Sequence, residues 1–80
     1  MTLHWLSFAD THAAKGEQFL GVAIVEASTF LMAVDISHAL GINPGGQVAG
    51  EEVPEDKAHL VADFTNRLLS KAELEAADLL

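Results

Sequence analysis

The side chains best suited to metal chemistry in this chain are four histidines. Two ligands on one helix face usually lie four residues apart, and among the histidines only His59 has a carboxylate at that spacing, as in the pair His59 and Asp63. A single pair does not complete a metal site. We therefore expect no metal site and no cofactor. The four histidines are His4, His12, His38 and His59.

Acid, hydroxyl and imidazole groups also occur close together at Asp35, Ser37 and His38. On a helix, however, residues one or two positions apart point in different directions. The sequence contains no other obvious pairing of a nucleophile with a base. We therefore expect no catalytic residues and a protein that is not an enzyme, and a small hydrolase is the least supported alternative.

The sharpest local motif is the turn Asn43-Pro44-Gly45-Gly46. Pro44 fixes φ at the first central position of a type II turn, and Gly45 tolerates the positive φ of the second. Glycine amides also allow a phosphate to come close to the backbone. This turn, however, follows the negative C-terminal end of a predicted helix, so an ordinary structural turn remains the alternative.

A second place for an anion is the predicted start of that helix, at Ser28 and Thr29. A phosphate there would need a cation such as Lys15 or Arg67, and a base would need Trp5 to stack on. The sequence does not choose between the two amide positions. The candidate ligand-binding residues are Trp5, Lys15, Ser28, Thr29, Asn43, Gly45, Gly46 and Arg67.

The charge balance is strongly acidic, with four Lys and Arg against twelve Asp and Glu and a net charge of −8. Such a chain repels phosphate backbones, so we expect no direct nucleic-acid partner. An acidic surface can instead imitate nucleic acid toward a basic protein, or can simply be a solvated surface. The candidate partner-binding residues for the first alternative are Glu51, Glu52, Glu55 and Asp56.

The organising stretch of the chain begins with the apolar run 19–27, which is typical of a strand buried on both faces. A second two-sided strand is predicted at 2–8, joined to it as an antiparallel hairpin through a polar loop. Hydroxyl side chains at Ser28 and Thr29 begin a helix over 28–40, and Gly41 ends it. The strand 47–53 then returns as the parallel neighbour of 19–27.

The sequence pattern of the C-terminal part of the chain, residues 54–80, predicts helices. An apolar stripe at Leu60, Val61, Phe64 and Leu68 predicts a helix over part of 54–69, and a capping box at Ser70 and Glu73 starts another over 71–78. Leu74, Leu79 and Leu80 must pack on the rest. The fold class is therefore α+β, a ββαβ unit followed by one or two C-terminal helices. We predict a single domain, residues 1–80, forming a small two- or three-layer α/β sandwich.

Size and patterning predict self-association and a cytoplasmic protein. A domain this small buries only about 60% of its surface on folding, and the outer side of the central helix carries apolar Met32 and Ala39. We therefore expect a homodimer or higher homo-oligomer. The absence of cysteine fits a reducing compartment, and Glu26 and Asp35 interrupt the apolar run, which argues against a membrane partner.

Three segments carry a resemblance: GVAIVEA at 21–27, LGINPGGQVAG at 40–50 and NRLLS at 66–70. Together with the helix between the first two, they resemble small uncharacterised proteins found in phages and actinobacterial genomes. No activity is known for that group. The resemblance implies a phage accessory protein acting in the cytoplasm of a host cell.

The first functional hypothesis is a non-enzymatic binding protein that captures a host component to counter defence, such as a small nucleotide immune messenger or a host protein. The alternative is an acidic nucleic-acid mimic, similar in kind to an anti-CRISPR protein, that inhibits a host nucleic-acid-binding protein. A structural or interaction module of another kind is the third hypothesis.

Overall fold

The computed structural model describes residues 1–79, which form a four-stranded antiparallel sheet with helical segments on both faces. The strands are β1 (Thr2–Ala9), β2 (Phe19–Ala27), β3 (Gln47–Glu52) and β4 (Leu68–Leu69), and the helices are α1 (Phe30–Ala39), α2 (Ala58–Val61) and α3 (Lys71–Ala76). The predicted α+β class and the order ββαβ at its start are confirmed.

The order of strands across the sheet is β3-β1-β2-β4. β1 and β2 form the predicted antiparallel hairpin, and β3 pairs antiparallel with the other edge of β1. The prediction that the strand after the helix neighbours 19–27 was wrong. The two strands do run in the same direction, but β1 lies between them because its large side chains on both faces gain most from the central position.

Each face of the sheet has its own hydrophobic core. On one face α1 covers Leu6 and Phe8, and on the other the segments after β3 cover Val22 and Ile24. The molecule is thus a three-layer sandwich with the sheet in the middle. Because the C-terminal segments cover the face opposite α1, the outer side of α1 keeps exposed apolar residues, including Leu31.

Both ends of α1 have the capping residues that the sequence predicted. The Thr29 side chain caps the first turn by accepting from the Met32 N–H at 3.1 Å. At the other end Gly41 takes a φ of 72°, and the N–H of Ile42 donates to the carbonyl oxygen of Ser37 at 3.0 Å. This second bond is typical of a glycine-terminated helix end, as predicted.

Residues 54–69 do not form one helix. A 3₁₀ turn at Glu55–Lys57, the short α2 and a 3₁₀ turn at Ala62–Phe64 precede β4. The helical path ends at Thr65, which is extended, and the next residue, Asn66, takes a φ of 63° while its N–H donates to the Ile24 carbonyl oxygen at 2.9 Å. The predicted apolar stripe is also interrupted, because Leu60, which was expected to be buried, is 53% exposed.

The capping box that begins α3 is confirmed. The Ser70 side chain accepts from the Glu73 N–H, and the Glu73 carboxylate accepts from the Ser70 N–H. Leu74 is buried and Leu79 is half-buried, while Leu80 lies outside the described residues. None of the helices in residues 1–79 has the length and apolar character needed to cross a membrane.

Candidate functional site

The two candidate phosphate positions lie at opposite ends of α1. Ser28 and Thr29 precede its first residue, whereas the turn that holds Gly45 and Gly46 follows its last. Because α1 has 10 residues, these ends are about 15 Å apart. One small ligand therefore does not contact both positions. At the first of them, the Thr29 hydroxyl is occupied by the Met32 N–H.

The glycine-rich turn is held by its own hydrogen bonds. The Asn43 carboxamide oxygen accepts from the Gly45 N–H at 2.8 Å, and its NH₂ group donates to the buried Ser37 hydroxyl at 3.0 Å. Gly45 has the positive φ expected at the second central position, 86°. Gly46 lies directly against the Ala9 carbonyl oxygen, so that a side chain there would collide with β1.

The two candidate cations occupy different surroundings. Lys15 is exposed in the loop between β1 and β2, at the end of the sheet where the Gly46 turn also lies. The Arg67 guanidinium lies 3.3 Å from the Glu73 carboxylate and 5.8 Å from the centre of the Phe64 ring. The structure therefore does not bring Arg67 to either of the two candidate phosphate positions.

Trp5 lies on β1, on the face of the sheet opposite α1, where it packs half-buried beside Val53 and Leu79. Its direct cross-strand partner is Glu51 on β3. The pair borders a surface cleft of about 380 Å³, here called the Trp5 cleft. The Trp5 cleft is lined by Trp5, Glu51, Glu52, Val53, Pro54, Lys57, Leu60, Val61, Asp78 and Leu79.

A second cleft, of about 710 Å³, opens around the beginning of β1 and is here called the acidic cleft. Glu52 lines both clefts, so the two are neighbours at one end of the sheet. The acidic cleft is lined by Met1, Thr2, Leu3, Glu26, Glu52, Val53, Glu55, Ala58, Ala62, Thr65 and Asn66.

Both clefts carry a negative balance. The Trp5 cleft has the carboxylates of Glu51, Glu52 and Asp78 against the single ammonium of Lys57. The side chains that line the acidic cleft include three glutamates and no Lys, Arg or His. The structure thus gathers three of the candidate partner-binding carboxylates, while Asp56 is exposed on the adjoining turn and lines neither cleft.

Sequence reasoning missed several of these lining residues. Glu26 is the one charged residue in the apolar run of β2, and that interruption was a usable sign of a position at the sheet end. Pro54 and Lys57 reach the Trp5 cleft from one 3₁₀ turn after β3, and no local pattern relates that turn to Asp78 beyond the end of α3.

We found no match to this chain among protein-family models, curated proteins or solved structures. The resemblance to phage and actinobacterial proteins therefore stays a prediction, and the function rests on the geometry of the clefts.

The histidines have ordinary surroundings. His4 is buried, and its Nε2 donates to the Ala27 carbonyl oxygen at 3.1 Å, which fixes the tautomer of the ring. His38 lies near the Asn43 carboxamide at the surface. Within residues 1–79 no group of three or more His, Asp and Glu side chains is placed to hold a metal ion.

Proposed function

We propose that this protein is a non-enzymatic binding protein that receives cationic side chains of a basic partner protein in the Trp5 cleft. The observation that carries the proposal is the pairing of Trp5 with Glu51 across two strands, at the border of a cleft with a negative balance. In this proposal, the acidic mimic of nucleic acid, the alternative predicted from the sequence, would bind its partner through the Trp5 cleft.

The chemistry of this pairing suits a guanidinium or an ammonium group. A cation over the indole face is attracted by the ring quadrupole, by about 0.5–1 kcal/mol at exposed sites. The Glu51 carboxylate beside it can accept two parallel hydrogen bonds from an arginine. Apolar Val53, Pro54 and Leu60 provide contact for the aliphatic stem of the same side chain.

The net charge of −8 supports the same partner class. A negative surface raises the association rate of a basic protein and suppresses binding of other acidic molecules. By the same reasoning the clefts disfavour a phosphate-bearing ligand. Capture of a nucleotide messenger stays a prediction.

The biological setting follows from the resemblance noted in the sequence. A phage accessory protein of this kind would act in the cytoplasm of a host cell, against a host protein that binds nucleic acid. The basic surface of such a host protein supplies the Arg and Lys side chains that the clefts accept. Self-association is part of the proposal as well, because Met32 and Leu40 leave apolar surface exposed on α1.

The single tryptophan of the chain makes the test direct, because all tryptophan fluorescence comes from the surroundings of Trp5. We expect a hexa-arginine peptide to change the fluorescence at low ionic strength, and added salt to weaken the binding. Hexaglutamate and a panel of cyclic nucleotides should leave it unchanged. Glu51→Gln should weaken hexa-arginine binding roughly threefold to tenfold, consistent with the loss of one close charge contact.

Glu17→Gln is the matched control. It removes the same charge from an exposed residue in the β1–β2 loop, at the opposite end of the sheet. Equal weakening by the two substitutions would show that only the net charge matters and would overturn the Trp5 cleft as the site. A response to a cyclic nucleotide, with none to hexa-arginine, would favour nucleotide capture instead.

A further inference from the structure

β3 lies at an edge of the sheet, and the direction of its backbone groups follows from one hydrogen bond. The Val53 N–H donates to the Leu3 carbonyl oxygen at 2.8 Å. In an antiparallel ladder, every second residue directs both its N–H and its C=O at the neighbouring strand. Gln47, Ala49 and Glu51 therefore face β1.

The residues between them face outward. The N–H and C=O groups of Val48, Gly50 and Glu52 point away from β1, and no other strand within residues 1–79 pairs with them. The ladder between β1 and β3 is regular over all six paired positions, so no bulge turns this edge away. Such a row of donors and acceptors is a template for an additional strand.

The two faces of the sheet differ in chemistry along this edge. On the face opposite α1, Glu51 lies beside Trp5, and a shallow depression of about 210 Å³ joins them to Ser7 and Ala49. On the α1 face, the Phe30 ring covers Gly50, and Leu31, the next residue of α1, is 72% exposed. A strand added to β3 would place alternate side chains on these two faces.

We propose that the basic partner docks as an extended segment that adds a strand to β3, with cationic and apolar side chains in alternation. The cationic side chains lie on the Trp5 side of the sheet, and the apolar side chains cover Phe30 and Leu31. This inference rests on the proposed function and specifies how the partner binds. The backbone bonds supply affinity, and the alternation supplies specificity.

Charge complementarity selects this occupant over a second copy of the chain. Each copy has a net charge of −8, and a second β3 would bring another Glu51 and Glu52 to the same edge. Carboxylates on an edge strand oppose pairing with an identical strand. They attract a cationic strand.

The experiment uses two synthetic probes of identical composition: a six-residue peptide of alternating Lys and Val with blocked ends, and its isomer with three Lys followed by three Val. We expect the alternating peptide to bind at least roughly tenfold more tightly, because the isomer cannot place cationic groups on one face and apolar groups on the other. Amide hydrogen exchange provides the second measurement. The alternating peptide should slow exchange at Val48, Gly50 and Glu52.

Val48→Pro is the decisive variant. It removes an outward N–H without removing a bond to β1, so the sheet should remain intact while binding of the alternating peptide falls at least roughly fivefold. Val48→Thr, which keeps the N–H, should bind as the unchanged protein does. If Val48→Pro does not fold, hydrogen exchange in the unchanged protein still decides the question.

The outcomes separate the two proposals. Binding that depends on Glu51, with no slowed exchange at Val48, Gly50 and Glu52, would overturn strand addition and leave the Trp5 cleft as the site. Failure of both Lys-Val peptides and of hexa-arginine to bind would overturn both proposals. A dimer that already protects these three amides without peptide would show that a second copy occupies the edge, which also overturns strand addition.

Discussion

The aromatic ring of Phe30 lies against Gly50, so close that a Cβ atom added to Gly50 would come within 2.5 Å of the ring Cε1 atom. This contact joins the first turn of α1 to the edge strand β3. It explains why a glycine occupies the middle of a strand, where glycine otherwise weakens the structure.

Gly50→Ala should therefore destabilise the protein by about 1–3 kcal/mol, the usual cost of an added methyl group in a packed contact. Chemical denaturation measures the change in the free energy of unfolding. Phe30→Leu in the same chain should recover part of the loss, because it removes the ring atoms that the methyl group meets. If the double variant lost the sum of the two single losses, the two positions would not be coupled and this account of Gly50 would be incorrect.

Ser70→Ala should lower the free energy of unfolding by about 1 kcal/mol. The Ser70 hydroxyl accepts from the Glu73 N–H at 3.2 Å, and that bond begins α3, whose Leu74 is buried in the core opposite α1. Urea denaturation should show an earlier midpoint with an unchanged slope. Lys71→Ala, at the neighbouring exposed position, is the control and should have little effect.

Glu73 should contribute to the dependence of stability on pH. The hydrogen bond from the Ser70 backbone N–H, supported by the Ser70 hydroxyl and by Arg67, holds the pKa of the Glu73 carboxyl below its ordinary value of 4.5. A carboxyl with a lower pKa in the folded state stabilises it above the ordinary value, and this contribution is lost as the pH falls through the folded-state pKa.

Glu73→Gln should therefore flatten the decline in thermal stability below the ordinary carboxyl pKa, compared with the unchanged protein. Melting temperatures over an acidic pH series provide the comparison. Glu75→Gln removes a carboxylate from the same helix and is the control for the loss of one negative charge. Carboxyl titration by NMR gives a direct check, and a Glu73 midpoint at or above the ordinary value would contradict the prediction.

Asp78→Gly should stabilise the protein by about 0.5–1 kcal/mol. Asp78 has a φ of 59°, where a residue with a Cβ is strained, and its carboxylate lies at the negative end of α3. The glycine keeps the bond from the Leu79 N–H to the Leu74 carbonyl oxygen that ends the helix.

Thermal and urea denaturation should both show the gain from Asp78→Gly. Asp78→Ala removes the charge but retains the strain, so it should gain less than the glycine variant. An alanine variant as stable as the glycine variant would show that backbone strain at this position is unimportant.

Local signals in the sequence predicted local structure well. The caps at Thr29 and Ser70 and the stop at Gly41 each depend on a few adjacent residues, and the structure has all three. Such motifs satisfy their own backbone groups, so their formation depends little on the rest of the chain.

Relationships between distant segments were less predictable. The place of β3 beside β1 depends on which strand gains most from a central position, and the end of the helical path near Asn66 depends on a bond to Ile24, far away in the sequence. The candidate site also has a part that could be predicted from the sequence and a part that could not. Glu51 and Glu52 were recognisable as acidic residues, but the pairing of Glu51 with Trp5 follows from the register of two strands.

The brevity of β4 has a consequence for assembly. With two residues, it offers almost no backbone for another chain to join, whereas β3 at the far side has six residues, of which Val48, Gly50 and Glu52 face outward. Within residues 1–79, only the β3 side of the sheet therefore offers an edge long enough to accept an added strand. The arrangement opposes propagation of the sheet into fibrils, which needs a long edge at both sides of each copy.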